Sequence, residues 1–203
     1  MNLDGFFKRI EMERGYFSLS EDVEVAGLTW FMEAKADKSD FPPSLNKVFS
    51  VTCRYFCDWI WPNGRRETSF ARFDKVITGS DMASLVSKMK KELNKSLRCK
   101  AASRAFLLGV GYEEAGAFRF KRPALGNTVY YNVNQSSCDV SVESGGLSSR
   151  AESFPTGSSF HRDVLIYESW RLAQLMDVHK ADLFADMPEK LRMAVVETEG
   201  LGL

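Results

Sequence analysis

Phe49-Ser50-Val51-Thr52-Cys53-Arg54-Tyr55-Phe56-Cys57-Asp58-Trp59-Ile60-Trp61-Pro62-Asn63-Gly64-Arg65-Arg66 reads as a long strand running into a tight turn. Phe49, Val51, Cys53, Tyr55, Cys57, Trp59 and Trp61 share one face at a period of two. Ser50, Thr52, Arg54 and Asp58 fall on the other face, whose polarity Phe56 and Ile60 interrupt. Asn63-Gly64 between strand-like runs signals a hairpin, with a return strand from about Arg65 to Phe73. Two turns fit: a two-residue turn at Asn63-Gly64, or a type I turn from Pro62 with a bulge at the glycine. They differ by one residue in register, and the sequence leaves the choice open.

The same logic extends outward. Downstream, Ser80 or Asp81 caps an amphipathic helix to about Leu97, with Met82, Leu85, Val86, Met89, Leu93 and Leu97 as its apolar stripe. Upstream, Leu3 to Arg14 is a short helix with Phe6, Phe7 and Ile10 on one side. Phe17 to Lys35 alternates like two strands broken near Gly27, and Asp37 to Ser44, with its Pro42-Pro43 pair, is a loop. Phe106 to Lys121 reads as a hairpin around Glu113-Glu114-Ala115-Gly116, and Thr128–Val133 with Cys138–Val142 as a further strand pair. Ser144 to Ser159 is rich in Gly and Ser and reads as a flexible loop. Asp163 to Val178 is a helix with Val164, Leu165, Leu172, Leu175 and Met176 available for packing. Asp186-Met187-Pro188-Glu189 resembles a capping box opening a last helix. The fold expected is α+β: an antiparallel sheet built from hairpins, a packed amphipathic helix and a helical C-terminal segment. Its organisation would be an α+β domain over 1–143, a Gly/Ser-rich loop over 144–160, and a helical segment over 161–203 packed on the same domain. No internal repeat is evident.

Composition narrows the function classes. The 203 residues are 44% hydrophobic and 27% charged, the range of an ordinary globular protein. No apolar run approaches the roughly 18 residues that cross a bilayer, and the acidic start Met1-Asn2-Leu3-Asp4 is unlike a signal peptide. Four irregularly spaced cysteines argue for reduced thiols and a cytoplasmic setting. Net charge is zero but uneven: Arg54–Arg122 holds 15 Lys/Arg against 7 Asp/Glu, whereas Met1–Cys53 holds 6 against 9 and Glu143–Leu203 holds 6 against 10.

Readable chemistry is sparse. Cys53 and Cys57 are four residues apart on an expected strand, roughly 13 Å, whereas two thiolates on one zinc lie within about 4 Å. Cys99, Cys138, His161 and His179 show no paired-ligand spacing, so no metal and no cofactor are expected. Gly109-Val110-Gly111, Gly126-Asn127-Thr128 and Gly145-Gly146 lack the rest of a phosphate-binding loop and read as turns.

What remains is binding. Trp59, Trp61, Arg65 and Arg66 put two aromatic rings and two guanidinium groups at the hairpin, the residue types most enriched at binding hot spots. Tyr167 and Trp170 offer a second contact surface. The expectation is a non-enzymatic adaptor, regulator or inhibitor of a larger machine, in the manner of phage or mobile-element factors, which occupies the surface of a partner protein or complex. Core packing of Trp59 is the competing structural role for that residue. The alternative is an RNA- or DNA-binding protein using Lys88, Lys91, Lys95 and Arg98 on one helix face, extended by Arg119, Lys121 and Arg122. A cysteine-dependent enzyme pairing Cys138 or Cys99 with His161 is the third reading.

Overall fold

The computed structural model describes residues 1–13, 17–25, 28–36, 49–57, 59–60, 63–64, 66–67, 73–79, 82–134, 137–148, 152–156 and 159–200. Their fold is α+β, with antiparallel sheets and several helices. Two compact units divide the chain, Met1–Ala101 and Ala102–Leu203.

The first unit begins with helix α1 (Leu3–Met12), whose Asn2 cap accepts the Gly5 N–H at 2.8 Å. Strands β1 (Phe17–Val25) and β2 (Leu28–Ala36) pair in register from Phe17↔Ala36 to Val25↔Leu28, so the break expected near Gly27 is the hairpin between them. Strand β3 (Phe49–Cys57) follows, then the short pair β4 (Trp59–Ile60) and β5 (Arg66–Glu67), then β6 (Phe73–Gly79). β3 lies between β2 and β6 in a four-stranded sheet ordered β1-β2-β3-β6. Within the expected return strand β5 answers β4, and β6, which begins at its end, answers β3; residues 68–72 lie outside the described residues. Burial follows the alternation. Leu19, Val23, Trp30, Met32 and Ala34 are buried together with Phe6, Phe7 and Ile10 of α1.

Helix α2 runs from Met82 to Gly109, well past the end expected at Leu97. Leu85, Val86, Met89, Leu93 and Leu97 are buried as the stripe predicts. Phe106 is part of this helix and not of a hairpin, since helical hydrogen bonding continues to Val110 N–H on Phe106 C=O. The helix closes on glycine. Gly111 takes φ +100, its N–H bonds Leu108 C=O at 3.2 Å, and Tyr112 N–H bonds Leu107 C=O at 3.0 Å. That is the Schellman arrangement, in which a residue with positive φ satisfies the last orphan carbonyls.

In the second unit, β7 (Glu113–Gly116), β8 (Arg119–Ala124), β9 (Asn127–Val133) and β10 (Ser137–Ser144) form an antiparallel meander. Glu113–Gly116 is itself a strand, and the turn sits at Ala117-Phe118. The β8–β9 turn is Leu125-Gly126, with φ of 48° and 79°. A leucine in the left-handed region is held there by the Asp186 carboxylate, which accepts the Leu125 N–H at 2.7 Å. Asp186 thus serves a turn and not the helix cap that its sequence context suggests. The Gly/Ser-rich stretch contains β11 (Leu147–Ser148) and β12 (Glu152–Pro155), both paired to β10. Then come α3 (Phe160–Ile166), a π-helical turn (Tyr167–Arg171), α4 (Leu172–Met176), α5 (Lys180–Ala185) and α6 (Glu189–Gly200).

A methyl group at Gly111 would lie 3.1 Å from Pro188 Cβ, on a backbone that L-residues adopt only under strain. Gly126 has positive φ but open space around it. Gly111→Ala is expected to lower unfolding free energy by about 1–3 kcal/mol, and more than Gly126→Ala, when both are measured by urea denaturation.

Candidate interaction site

The hairpin that dominates the sequence exists. β4 and β5 pair as Trp59↔Glu67 and Ile60↔Arg66, and Asn63 and Gly64 are exposed at the turn, with Gly64 at φ +80. The Ile60↔Arg66 pairing centres the connection on Asn63, which does not fit a two-residue turn at Asn63-Gly64. Trp59 and Arg66 are placed by their backbone on β4 and β5, while Trp61 and Arg65 lie outside the described residues.

Lys88, Lys91, Lys95 and Arg98 are all exposed on α2, at spacings of three and four that share a face. Their proposed extension fails at Arg122, which is fully buried. Lys121 lies 3.8 Å from Glu113, and the Arg119 guanidinium sits 4.1 Å from the Tyr130 ring centre. Cys138 is fully buried on β10, and the exposed His161 stacks on Phe106 with ring centres 4.3 Å apart.

The strongest electrostatic feature was not anticipated. Glu168, in the π-turn, and Arg122, on β8, are both 0% exposed and joined by an ion pair from Arg122 Nη2 to Glu168 Oε2. Tyr112 and Tyr131 donate their hydroxyls to Glu168 Oε1, the latter at 2.9 Å. Arg122 also donates Nε to Oε1 at 3.3 Å and Nη1 to Pro123 C=O at 3.0 Å. Every charged atom is thus met by a partner, the condition for burying an ion pair at all. Burial, followed by the Glu168 charge, pushes the phenols of Tyr112 and Tyr131 well above their ordinary 10.0. For Arg122 burial acts in the opposite direction, yet the Glu168 carboxylate and its other neighbours outweigh it and hold the guanidinium firmly charged.

The signal for this pair was in the pattern. Arg122 has the parity of Phe120 and Ala124, both buried on β8. Glu168 lies three residues after Leu165 and four before Leu172, on the stripe that sequence reading filled with apolar residues only. Arg122 read as an extension of the basic face, and Glu168 stood out in no pattern, until the fold brought them together.

The turn that carries Glu168 is the second feature. Leu172 N–H bonds Tyr167 C=O, five residues back, which is the π-helical spacing. Tyr167, Glu168 and Ser169 are buried in succession, while Trp170 is 41% exposed. One residue before Glu168, Tyr167 faces a cleft of about 360 Å³ lined on one side by all four residues of β12 and on the other by Ser159, Asp163, Ile166, Tyr167 and Arg171. Ser159, Asp163, the Ile166-Tyr167 pair and Arg171 recur at three to four residues, so one helix face runs along the strand. β12 pairs with β10 through Cys138↔Phe154 and Val140↔Glu152, and no described strand pairs with its other edge.

The chain matches no known protein family. Nor does it match a curated protein or a solved structure. Among the described residues no three His, Cys, Asp or Glu side chains gather as metal ligands, and no helix is long and apolar enough to cross a membrane.

Glu168→Ala leaves Arg122 charged in an apolar setting and is expected to remove about 3–5 kcal/mol of stability, as is Arg122→Met. The double variant should lose less than the sum, so a double-mutant cycle in urea reads the coupling directly. Tyr112 and Tyr131 bind their protons more tightly folded than unfolded, so their contribution is fully present below pH 10.0 and is lost as pH rises beyond it. The urea midpoint should therefore hold steady through neutral pH and fall above pH 10.0, less steeply in Tyr131→Phe.

Proposed function

We propose that this chain is a non-enzymatic binding protein that regulates, adapts or inhibits a larger assembly by occupying a partner's surface. The observation that carries this reading is that the far edge of β12 pairs with no described strand and lies beside a cleft. An unpaired strand edge offers a row of main-chain donors and acceptors to a second chain, and it is normally shielded unless it is used. The hairpin at Trp59, Trp61, Arg65 and Arg66 supplies a second contact of the type that anchors protein interfaces. A nucleic-acid reading has its own support in the exposed face of Lys88, Lys91, Lys95 and Arg98.

Capture from the native host's lysate separates the two. Wild type should retain a protein partner that the Trp61→Ala/Arg65→Ala/Arg66→Ala variant or a cleft variant, Ser153→Trp, releases, with modest salt sensitivity. Retention of nucleic acid alone, falling steeply with salt and weakened by Lys91→Glu/Lys95→Glu, would transfer the function to α2.

A further inference from the structure

The chemistry of the β12 cleft indicates what kind of segment it takes. Tyr167 is 3% exposed, and its hydroxyl meets the Glu152 carboxylate beside it but makes no contact of good hydrogen-bond geometry. A buried hydroxyl held in so imperfect a contact gains from a well-placed ligand atom. The Phe154 ring lies 5.8 Å from the Tyr167 ring, inclined by 34°, so two aromatic rings wall the same space.

Charge in the cleft is unbalanced. Glu152 and Asp163 line it against the single guanidinium of Arg171. Asp163 accepts the Ser159 hydroxyl at 2.7 Å, and Arg171 lies over the Trp170 ring at 5.0 Å. At the Tyr167 hydroxyl itself, burial and then the charge and hydrogen bond of the Glu152 carboxylate push the phenol up, with Glu168 adding and Arg171 opposing more weakly. The local field is negative, and a negative site walled by aromatic rings suits an ammonium or guanidinium group.

We propose that an extended peptide adds as a strand to the open edge of β12 and seats one lysine or arginine side chain against the Glu152 carboxylate, the Tyr167 hydroxyl and the Phe154 ring. This rests on the protein-binding reading above and names the chemistry of the partner. Main-chain hydrogen bonds supply the pairing, and side chains alternate, so every second residue of the added strand faces the cleft. Four residues of β12 span roughly 13 Å, enough for a segment of four or five residues. Pro155 has no N–H and closes the ladder at that end. A cleft of about 360 Å³ is at the small end of ligand sites, sized for one long side chain. A lysine ammonium has three donors and no acceptor, so it satisfies the Tyr167 oxygen and the carboxylate together.

The test is an amide NMR titration of the isotope-labelled full chain with a capped peptide, threonine-valine-lysine-valine-threonine. Three relatives accompany it: one with norleucine at the centre, one with glutamate there, and one N-methylated at both valines. The lysine peptide is expected to shift the amides of Glu152, Ser153, Phe154 and Tyr167. Affinity should fall about tenfold or more with norleucine or in Glu152→Gln, the loss of one charge-assisted contact. It should fall several-fold in Tyr167→Phe and be abolished by N-methylation. Spectra of both variants should overlay wild type away from the cleft, which excludes misfolding as the cause. Equal binding of the lysine, norleucine and glutamate peptides would overturn the cation site while leaving strand addition intact. Binding undiminished by N-methylation would overturn strand addition. Silence at β12 with every peptide would overturn the whole proposal. A lysate partner still released by the Trp61 variant would then show that the protein-binding reading survives it.

Discussion

A single carboxylate, that of Glu168, sets the geometry of the second unit. Tyr112, which precedes β7, Arg122 on β8 and Tyr131 on β9 converge on it from three successive segments of one sheet. Apolar packing tolerates small slides of a helix over a sheet, because dispersion contacts are many and individually weak. A buried ion pair does not: moving either partner leaves an uncompensated charge in a low-dielectric interior. Its net stabilisation is modest, and its larger effect is to hold one register of the helix over the strands.

That register has a local consequence. The π-turn accommodates one extra residue, so Tyr167, Glu168 and Ser169 can all be buried in sequence. Glu168 reaches inward to the sheet while Tyr167 meets the cleft beside β12. The poorly satisfied Tyr167 hydroxyl and a strand edge that no described strand covers meet in one place. Proteins ordinarily remove such features with short edge strands and prolines. Here β12 is four residues long and ends in Pro155, which limits uncontrolled pairing while leaving room for a short segment. The functional reading follows from that combination of a specified register, a limited open edge and a cleft with a defined charge.

Much of the fold was legible because it depends on local periodicity. α1, the β1–β2 pair, the buried stripe of α2, and β9 with β10 were readable from alternation or helical spacing. The errors have physical causes. Leu97 looked like the end of α2 because the stripe gives way to Cys99-Lys100-Ala101-Ala102-Ser103, yet those residues continue the helix until Gly111 supplies the positive φ that closes it. The Gly/Ser-rich stretch looked like a loop because its composition has little strand propensity, but Glu152–Pro155 needs only the edge of β10 to become a strand. Asp186 had the sequence of a helix cap and was drawn instead to the Leu125 turn sixty-one residues away.

The sequence by itself determined the α+β class, the hairpin at Asn63-Gly64 and most of the apolar faces, since these follow from side-chain periods of 2 and 3.6 and from turn chemistry. Tertiary structure alone decided that Arg122 belongs to the core and not to a basic surface, that Glu168 completes it, and that one edge of β12 meets no described strand. A charged residue is buried only when an opposite charge from a distant part of the chain meets it. A strand has an edge only once its neighbours in space are known.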